Sequence, residues 1–401
     1  MTQDAPTRRL PVPQSHPPHP RTERQADLIA LADRLAELAA GQADRHDRAG
    51  SFPHETFAEL YRAGYLALTV PEEYGGGSAT ALEVMLAQEH LARGSGSVAL
   101  GTTMHLGIIG GLAGTRHWPL ALLEQVFSDV IDHGALINSA ASEPELGSPS
   151  RGGMFHTTAA RDGAGWRING RKTWTTMSPG LMYAIVLLTV EEDGDTSRGQ
   201  FLVPMNTEGV IREDNWDNLS MRSSGSNDVV FDNVFVPDEY RLPQPTGLPG
   251  TQGSDWSLLG SAVYLGIAQA ARDFAVEFAK HRVPSGLGTP IAELQSVQHR
   301  IAQIEILLAQ ARSLLYMTAE TWAEQPGQRE SMAWRMAAAK YTVTNNAIAV
   351  TDQALRVVGS LGLQRSLPLE RYFRDVRAGL GNPPMDDVAL TLIGKTALGV
   401  A

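Results

Sequence analysis

With 401 residues the chain can hold two or three domains around a substantial core. Its 33 basic and 44 acidic residues give a net charge of −11 with histidines neutral, a balance that gives no support to nucleic-acid or anionic-membrane binding. The absence of cysteine excludes disulfides, thiolate nucleophiles and cysteine-type zinc sites. No purely apolar run is long enough to span a bilayer, and the first twenty residues lack the apolar centre of a secretory signal, so a soluble cytoplasmic protein is the expectation.

Residues 1–22 are rich in proline and polar residues and read as a flexible tail, where His16 and His19 lack further ligands for a metal. From Glu23 the pattern is helical, with Leu28, Leu31, Leu35 and Leu38 on one stripe. Gly50-Ser51-Phe52-Pro53 breaks it and starts a second helix carrying Phe57, Leu60 and Tyr61. Pro71 and the glycines at 75, 76 and 77 make a loop before a helix over residues 79–93. A further helix over residues 98–113 holds His105 among apolar neighbours. A core histidine is the plainer reading of His105, and a catalytic group the sharper one.

Residues 131–245 change character. Strand-like runs at 183–190, 200–204 and 229–236 alternate with turns such as Glu192-Asp193-Gly194-Asp195, the pattern of a compact antiparallel β-domain. Asp162-Gly163-Ala164-Gly165 closes one hairpin, and Asn169-Gly170 is expected to close a second, since both residues tolerate positive φ. Lys172, Trp174 and Thr176 then alternate along a strand and share a face, with Lys172 read as a turn-flanking surface residue. An indole beside a hydroxyl suits a planar ligand with polar ring edges, such as a flavin; the alternative is a tryptophan that plugs its own core.

After an irregular connection at 242–250, the chain is helical again from Trp256. Val263, Ile267, Ala270, Phe274 and Phe278 mark one stripe; Leu294, Val297, Ile301, Ile304, Leu308, Ala311 and Leu315 mark the next. A third stripe runs from Met332 to Val357, and a last helix covers residues 385–398. Four amphipathic helices make a four-helix bundle the natural packing, with its methionines as gap-filling core residues. There is no Walker-type loop, no G-x-G-x-x-G between strand and helix, no HExxH, no G-x-S-x-G and no cluster of metal ligands.

Ser142-Glu143-Pro144, Gly147-Ser148, Thr158-Ala159, Asn169-Gly170-Arg171-Lys172 and Trp174-Thr175-Thr176, in that order, resemble the acyl-CoA dehydrogenase flavoproteins. The V-P-E-E-Y-G-G-G string from Val70, the stretch from Met221 to Tyr240, Arg282 with Pro290-Ile291 and Gln295, and Arg374-Asp375-Val376-Arg377 extend the likeness over residues 23–401. The resemblance implies an α+β fold: a tail at 1–22, an N-terminal helical domain at 23–130, a middle antiparallel β-domain at 131–245 and a C-terminal four-helix bundle at 246–401. It implies FAD, with FMN as the alternative. Ser139, Ala141, Ser142, Ser148, Trp174 and Thr176 are the expected contacts on the ring side. Arg282, Gln295, Arg356, Gly359 and Ser360 are expected to reach the cofactor from a neighbouring subunit, hence a homodimer or homotetramer. A guanidinium suits a diphosphate, although Arg356 stands where the family has glutamine.

The implied activity is α,β-dehydrogenation of an acyl-CoA in fatty acid metabolism. A glutamate removes the α-proton while hydride passes to flavin N5, and an electron-transfer flavoprotein is the expected acceptor. Here Pro383 occupies the position of that base. Asp255 lies one residue, about 100° of helix, from the alternative base position, and Ser257 replaces an arginine that meets the CoA phosphate. A monooxygenase or oxidase fed by a flavin reductase is the alternative on the same fold, and a flavin-binding protein without turnover is a second.

Overall fold

The computed structural model describes residues 19–146, 153–243 and 256–400. Five helices come first: α1 (Glu23–Ala49), α2 (His54–Arg62), α3 (Ala81–Gly94), α4 (Gly96–Thr115) and α5 (Leu120–His133). The middle part holds β1 (Leu136–Ala140), β2 (Thr158–Asp162), β3 (Gly165–Lys172), β4 (Leu181–Glu192), β5 (Asp195–Pro204), β6 (Val210–Arg212), β7 (Val229–Pro237) and β8 (Arg241–Leu242). Helices α6 (Trp256–His281), α7 (Gln295–Glu324), α8 (Ala333–Val358), α9 (Leu369–Asp375) and α10 (Asp386–Leu398) complete the chain.

Local chemistry sets the helix ends. Thr22 Oγ1 accepts the Gln25 N–H at the start of α1, and Gly50 (φ 65°) turns the chain out of its end. Thr80 and Glu83 form a reciprocal capping box that starts α3. Part of the expected tail is docked, because the Arg21 guanidinium pairs with Glu320 on α7 and the His19 ring lies against Tyr316. Helix α5 has the spacing of an amphipathic helix (Leu122, Leu123, Val126, Phe127, Val130) and was not anticipated. It covers one face of the sheet, against Ile137, Tyr183, Ile185 and Leu202. Helix α4 has the length and apolarity of a membrane span but is a core helix, buried against α3, α6 and β1.

The sheet runs β6-β7-β3-β2-β4-β5-β8, with β1 also paired to β4. It is mixed rather than wholly antiparallel, since β1 and β2 both run parallel to β4. They lie end to end along one side of it: β1 reaches Val186, and β2 begins opposite Thr189. The described chain leaves the sheet after Ala140 and rejoins it beside the same strand at Thr158, and the residues just after β1 include Ser142 and Glu143. Asp193 (φ 53°) and Gly194 (φ 86°) close the β4–β5 hairpin as expected. The second expected hairpin is absent. Asn169 and Gly170 sit inside β3 at a register shift against β7, and Gly170 (φ 142°) leaves no room for a Cβ beside Thr157. The same two residue types serve a bulge because it also needs an unusual φ and close backbone approach.

Helix α6 packs against α8 and α3, and α7 packs against α8; α10 lies along α8 and buries only Ala389. One continuous core runs through Val98 of α4, Phe231 of the sheet and Val343 of the bundle. Glu89 of α3 crosses it to meet Arg312 and Tyr316 of α7, and Arg312 also donates to Gln269 of α6 at 3.0 Å.

Candidate active site

Strand β3 ends at Lys172, so Trp174 and Thr176 do not continue it. Residues 173–178 instead form an irregular strip held on both sides. Thr173 N–H donates to the Ser142 carbonyl (3.0 Å), Thr175 N–H to Asn227 O (3.2 Å) and Met177 N–H to Ser224 O (2.9 Å). Two non-glycine residues in this strip, Trp174 (φ 58°) and Met177 (φ 65°), adopt the left-handed conformation. Such strain persists only where surrounding contacts over-determine it, and it clusters at functional sites.

Trp174 is 56% exposed and does not plug a core; the fully buried tryptophan of the sheet is Trp166. Behind Trp174 stands Trp216, edge to face at 5.1 Å, with its own indole N–H bonded to Met221 O at 3.0 Å. Thr176 is buried, its hydroxyl 3.0 Å from Ser226 Oγ, which in turn meets Ser224 Oγ at 2.7 Å. Asn138 Nδ2 donates to the Thr176 carbonyl at 3.0 Å and so ties β1 to the strip. Ser139, Ala141 and Ser142 are half-buried at and just beyond the end of β1. The ring-side residues are thus brought together: an open indole, a chain of hydroxyls and the end of a strand. That set fits a flat aromatic group with a polar edge. Ser148 lies outside the described residues.

Lys172, expected at the surface, is fully buried. Its Nζ donates to Glu143 Oε1 at 2.7 Å and lies 4.3 Å from the centre of the Phe155 ring. Burial pulls the ammonium down to about 8, opposed by the Glu143 carboxylate. Because Glu143 is 29 residues earlier in the chain, the sequence near Lys172 carried no sign of its partner.

Arg282, Gln295, Arg356, Gly359 and Ser360 form a second group, all exposed. Arg272 of α6 bonds Glu305 of α7, and Arg300 of α7 bonds Gln353 of α8, so the neighbouring helices run antiparallel. The ends of α6 and α8 and the start of α7 therefore share one end of the bundle, and the five residues gather there. Among the described residues, no hydrogen bond or ion pair joins this group to the Trp174 strip.

His105 is not an available base. It is fully buried, with Nε2 2.9 Å from Leu66 O and Nδ1 accepting the Ile137 N–H at 3.3 Å. Pro383 lies between α9 and α10 in residues 376–385, a stretch without a carboxylate. The aspartates at its two ends are engaged. Asp375 Oδ1 accepts the Met221 N–H at 2.7 Å; Asp386 Oδ2 accepts from Asn345 at 3.1 Å, while its other oxygen lies 3.8 Å from Lys340 Nζ. Asn382 donates to the Tyr264 hydroxyl. Asp255 lies outside the described residues.

Burial pushes the Asp375 carboxyl up to about 6 from 3.8, against the Met221 amide and the guanidiniums of Arg371 and Arg374. The fold therefore favours the protonated form, and that contribution is complete below pH 3.8 and lost as pH rises through 6. Asp375→Asn cannot ionise, and it is expected to gain about 2–3 kcal/mol on the wild type between pH 4 and pH 7. Urea unfolding of both proteins at the two pH values checks this; parallel pH profiles would refute it.

Three family models match the chain in order: the acyl-CoA dehydrogenase N-terminal domain over 22–116, the middle domain over 138–234 and the C-terminal domain over 258–381. The chain belongs to the acyl-CoA dehydrogenase family. It is 40% identical over 380 residues to YdbM of Bacillus subtilis strain 168, provisionally named as an acyl-CoA dehydrogenase, covering 94% of this chain and 98% of that one. It is also 31% identical, over 90% of each chain, to the amino sugar nitrososynthase DnmZ of Streptomyces peucetius. Among solved structures, KijD3 in complex with FMN and a dTDP-linked amino sugar superposes with a TM-score of 0.82 at 27% identity, covering 95% of each chain. Members of this family are flavin oxidoreductases, so the strip built around Trp174 lies in a flavoprotein fold.

Proposed function

We propose that the chain is a flavin-dependent oxidoreductase that uses molecular oxygen and acts on a small organic substrate: a monooxygenase supplied with reducing equivalents by a partner reductase, or an oxidase that takes them from its substrate. The observation that carries this reading is the carboxylate-free stretch 376–385, whose flanking Asp375 and Asp386 are committed to Met221 and to Asn345 and Lys340. Dehydrogenation of an acyl thioester needs a base within hydrogen-bond reach of the α-proton, and Pro383 offers none. The likeness to DnmZ, named as a nitrososynthase, and to KijD3 with FMN and an amino sugar supports the same direction.

When bound, a flavin would supply the two-electron chemistry. Ser142, Ala141 and Thr176 would hold its polar ring edge, and Trp174, backed by Trp216, would cover the ring and exclude water. The exposed Arg282 and Arg356 carry no ion pair among the described residues, and a second subunit presenting them to a diphosphate favours FAD over FMN and a homodimer or larger assembly. Dehydrogenation of an acyl thioester is the second reading. Its support is the 40% identity to YdbM, and it requires Asp255 as the base.

The test is reconstitution with FAD and with FMN, then anaerobic mixing with acyl-CoA thioesters of several chain lengths. The expected result is no bleaching of the oxidised flavin, together with oxygen uptake that, when NADH and a flavin reductase are added, exceeds that of the reductase and free flavin without the protein. Rapid bleaching by any acyl-CoA would overturn the proposal in favour of dehydrogenation.

A further inference from the structure

Ser142 and Trp174 border the ring-side strip, and the residues next to them in sequence are joined underneath it. Thr173 N–H donates to Ser142 O at 3.0 Å, and the neighbouring Lys172 donates to the neighbouring Glu143 at 2.7 Å. Glu143 is anchored in turn: Oε1 accepts the Thr157 N–H at 2.9 Å and Oε2 the His156 N–H at 2.7 Å, so one carboxylate ties the residues just after β1 to those that lead into β2. Thr189 closes the same corner by bonding Phe155 O at 2.7 Å, and the Phe155 ring covers the Lys172 ammonium.

A fully buried ion pair is a poor way to gain stability, because removing both charges from water costs several kcal/mol before their attraction is counted. Apolar side chains of similar size would fill the corner. What the pair adds is direction: a charged hydrogen bond of fixed length between two backbone segments that are otherwise joined by neutral bonds, Thr173 N–H to Ser142 O and Asn138 Nδ2 to Thr176 O. From this placement we infer that Lys172 and Glu143 are positioning residues for the flavin ring, holding the Ser142 edge and the Trp174 face at the separation the ring requires. The inference rests on the flavin reading above and deepens it, because neither side chain reaches the strip's open surface.

The test uses full-length apoprotein titrated separately with FAD and FMN, following quenching of tryptophan fluorescence, and then the midpoint potential of the saturated complex. Lys172→Met is expected to weaken binding of the preferred flavin roughly 10- to 100-fold, as loss of supports behind other binding groups does. It should also displace the midpoint potential, while Lys172→Arg, which keeps the cation, restores most of both. A merely structural role would lower affinity and leave the potential of the saturated complex in place, and that outcome overturns the inference. So does a Lys172→Met protein that binds like wild type. If Lys172→Met does not fold, Glu143→Gln is read in the same way, since it keeps the backbone contact between Thr173 and Ser142. Wild-type protein that binds neither flavin sinks this inference and the flavin reading together, whereas wild-type binding beside indifferent variants sinks only the pair.

Discussion

Glu89→Ala is expected to lower the free energy of unfolding by about 3–5 kcal/mol, the range for breaking one side of a buried ion pair. Glu89 and Arg312 are both buried, and they lie 223 residues apart in sequence. Alanine would leave the Arg312 guanidinium in the core, still donating to the Gln269 side-chain oxygen, and would strip Tyr316 of its 2.7 Å bond. The pH dependence gives an independent check. Burial pushes the Glu89 carboxyl up, but the Arg312 and Arg93 guanidiniums and two hydrogen bonds outweigh it and hold the group down at about 2. A depressed folded value means that the stabilisation is complete above the ordinary 4.5 and is lost as pH falls toward 2. The gap between wild type and Glu89→Ala in denaturant melts should therefore stay constant from pH 7 to 5 and close only in stronger acid. A variant within about 1 kcal/mol of wild type at pH 7 would show that the pair merely breaks even. Glu89→Gln, which keeps an acceptor for Tyr316, should fall between the two.

The helices were legible because their packing is periodic and local. In the α7 seam Val297, Ile304, Leu308, Ala311 and Leu315 are buried as their spacing demands, while Ile301 is half-buried and Leu294 lies exposed just before the helix; the α8 seam from Met336 to Val357 is buried. Turns were legible where the chain pairs with its own next strand, as at Asp193-Gly194. Reading failed where the partner is distant. Asn169-Gly170 has the composition of a hairpin, but β7 is its neighbour and makes it a bulge. Two strands, β1 and β2, lie end to end beside β4 and run parallel to it, and no local pattern announces that. Lys172 reads as a surface cation until Glu143 is folded under it. The ring-side set was legible as an ordered motif, yet its geometry was not: Trp174 and Thr176 leave the strand, and Trp216, Ser226 and Asn138, which hold them, carry no local signature.

His105 was a candidate catalytic residue, and its surroundings lead to the second large expected effect, on stability in acid. Burial pulls its imidazole down to about 4 from 6.5, opposed by the Leu66 carbonyl. With Nδ1 accepting from the Ile137 N–H, the neutral ring must carry its proton on Nε2 and give it to Leu66 O; a second proton would displace the Ile137 bond inside the core. The unfolded chain takes up that proton between pH 6.5 and 4 while the folded chain does not, so stability must fall over this window as pH falls. The shift corresponds to about 3 kcal/mol. His105→Gln has no such group to titrate. It is expected to be less stable than wild type at pH 7, having lost a ring that satisfies two backbone groups, and to recover about 3 kcal/mol relative to wild type by pH 4. Urea unfolding at half-unit pH steps measures the difference, in which all other titrations cancel. Parallel profiles would mean that the ring is charged or solvated in the folded protein and would return His105 to the list of candidate acids and bases. Profiles that converge as described, with flavin binding unchanged in His105→Gln, would place it where its two backbone contacts put it, as the link between α4 and β1 beneath the strand that carries Ser139.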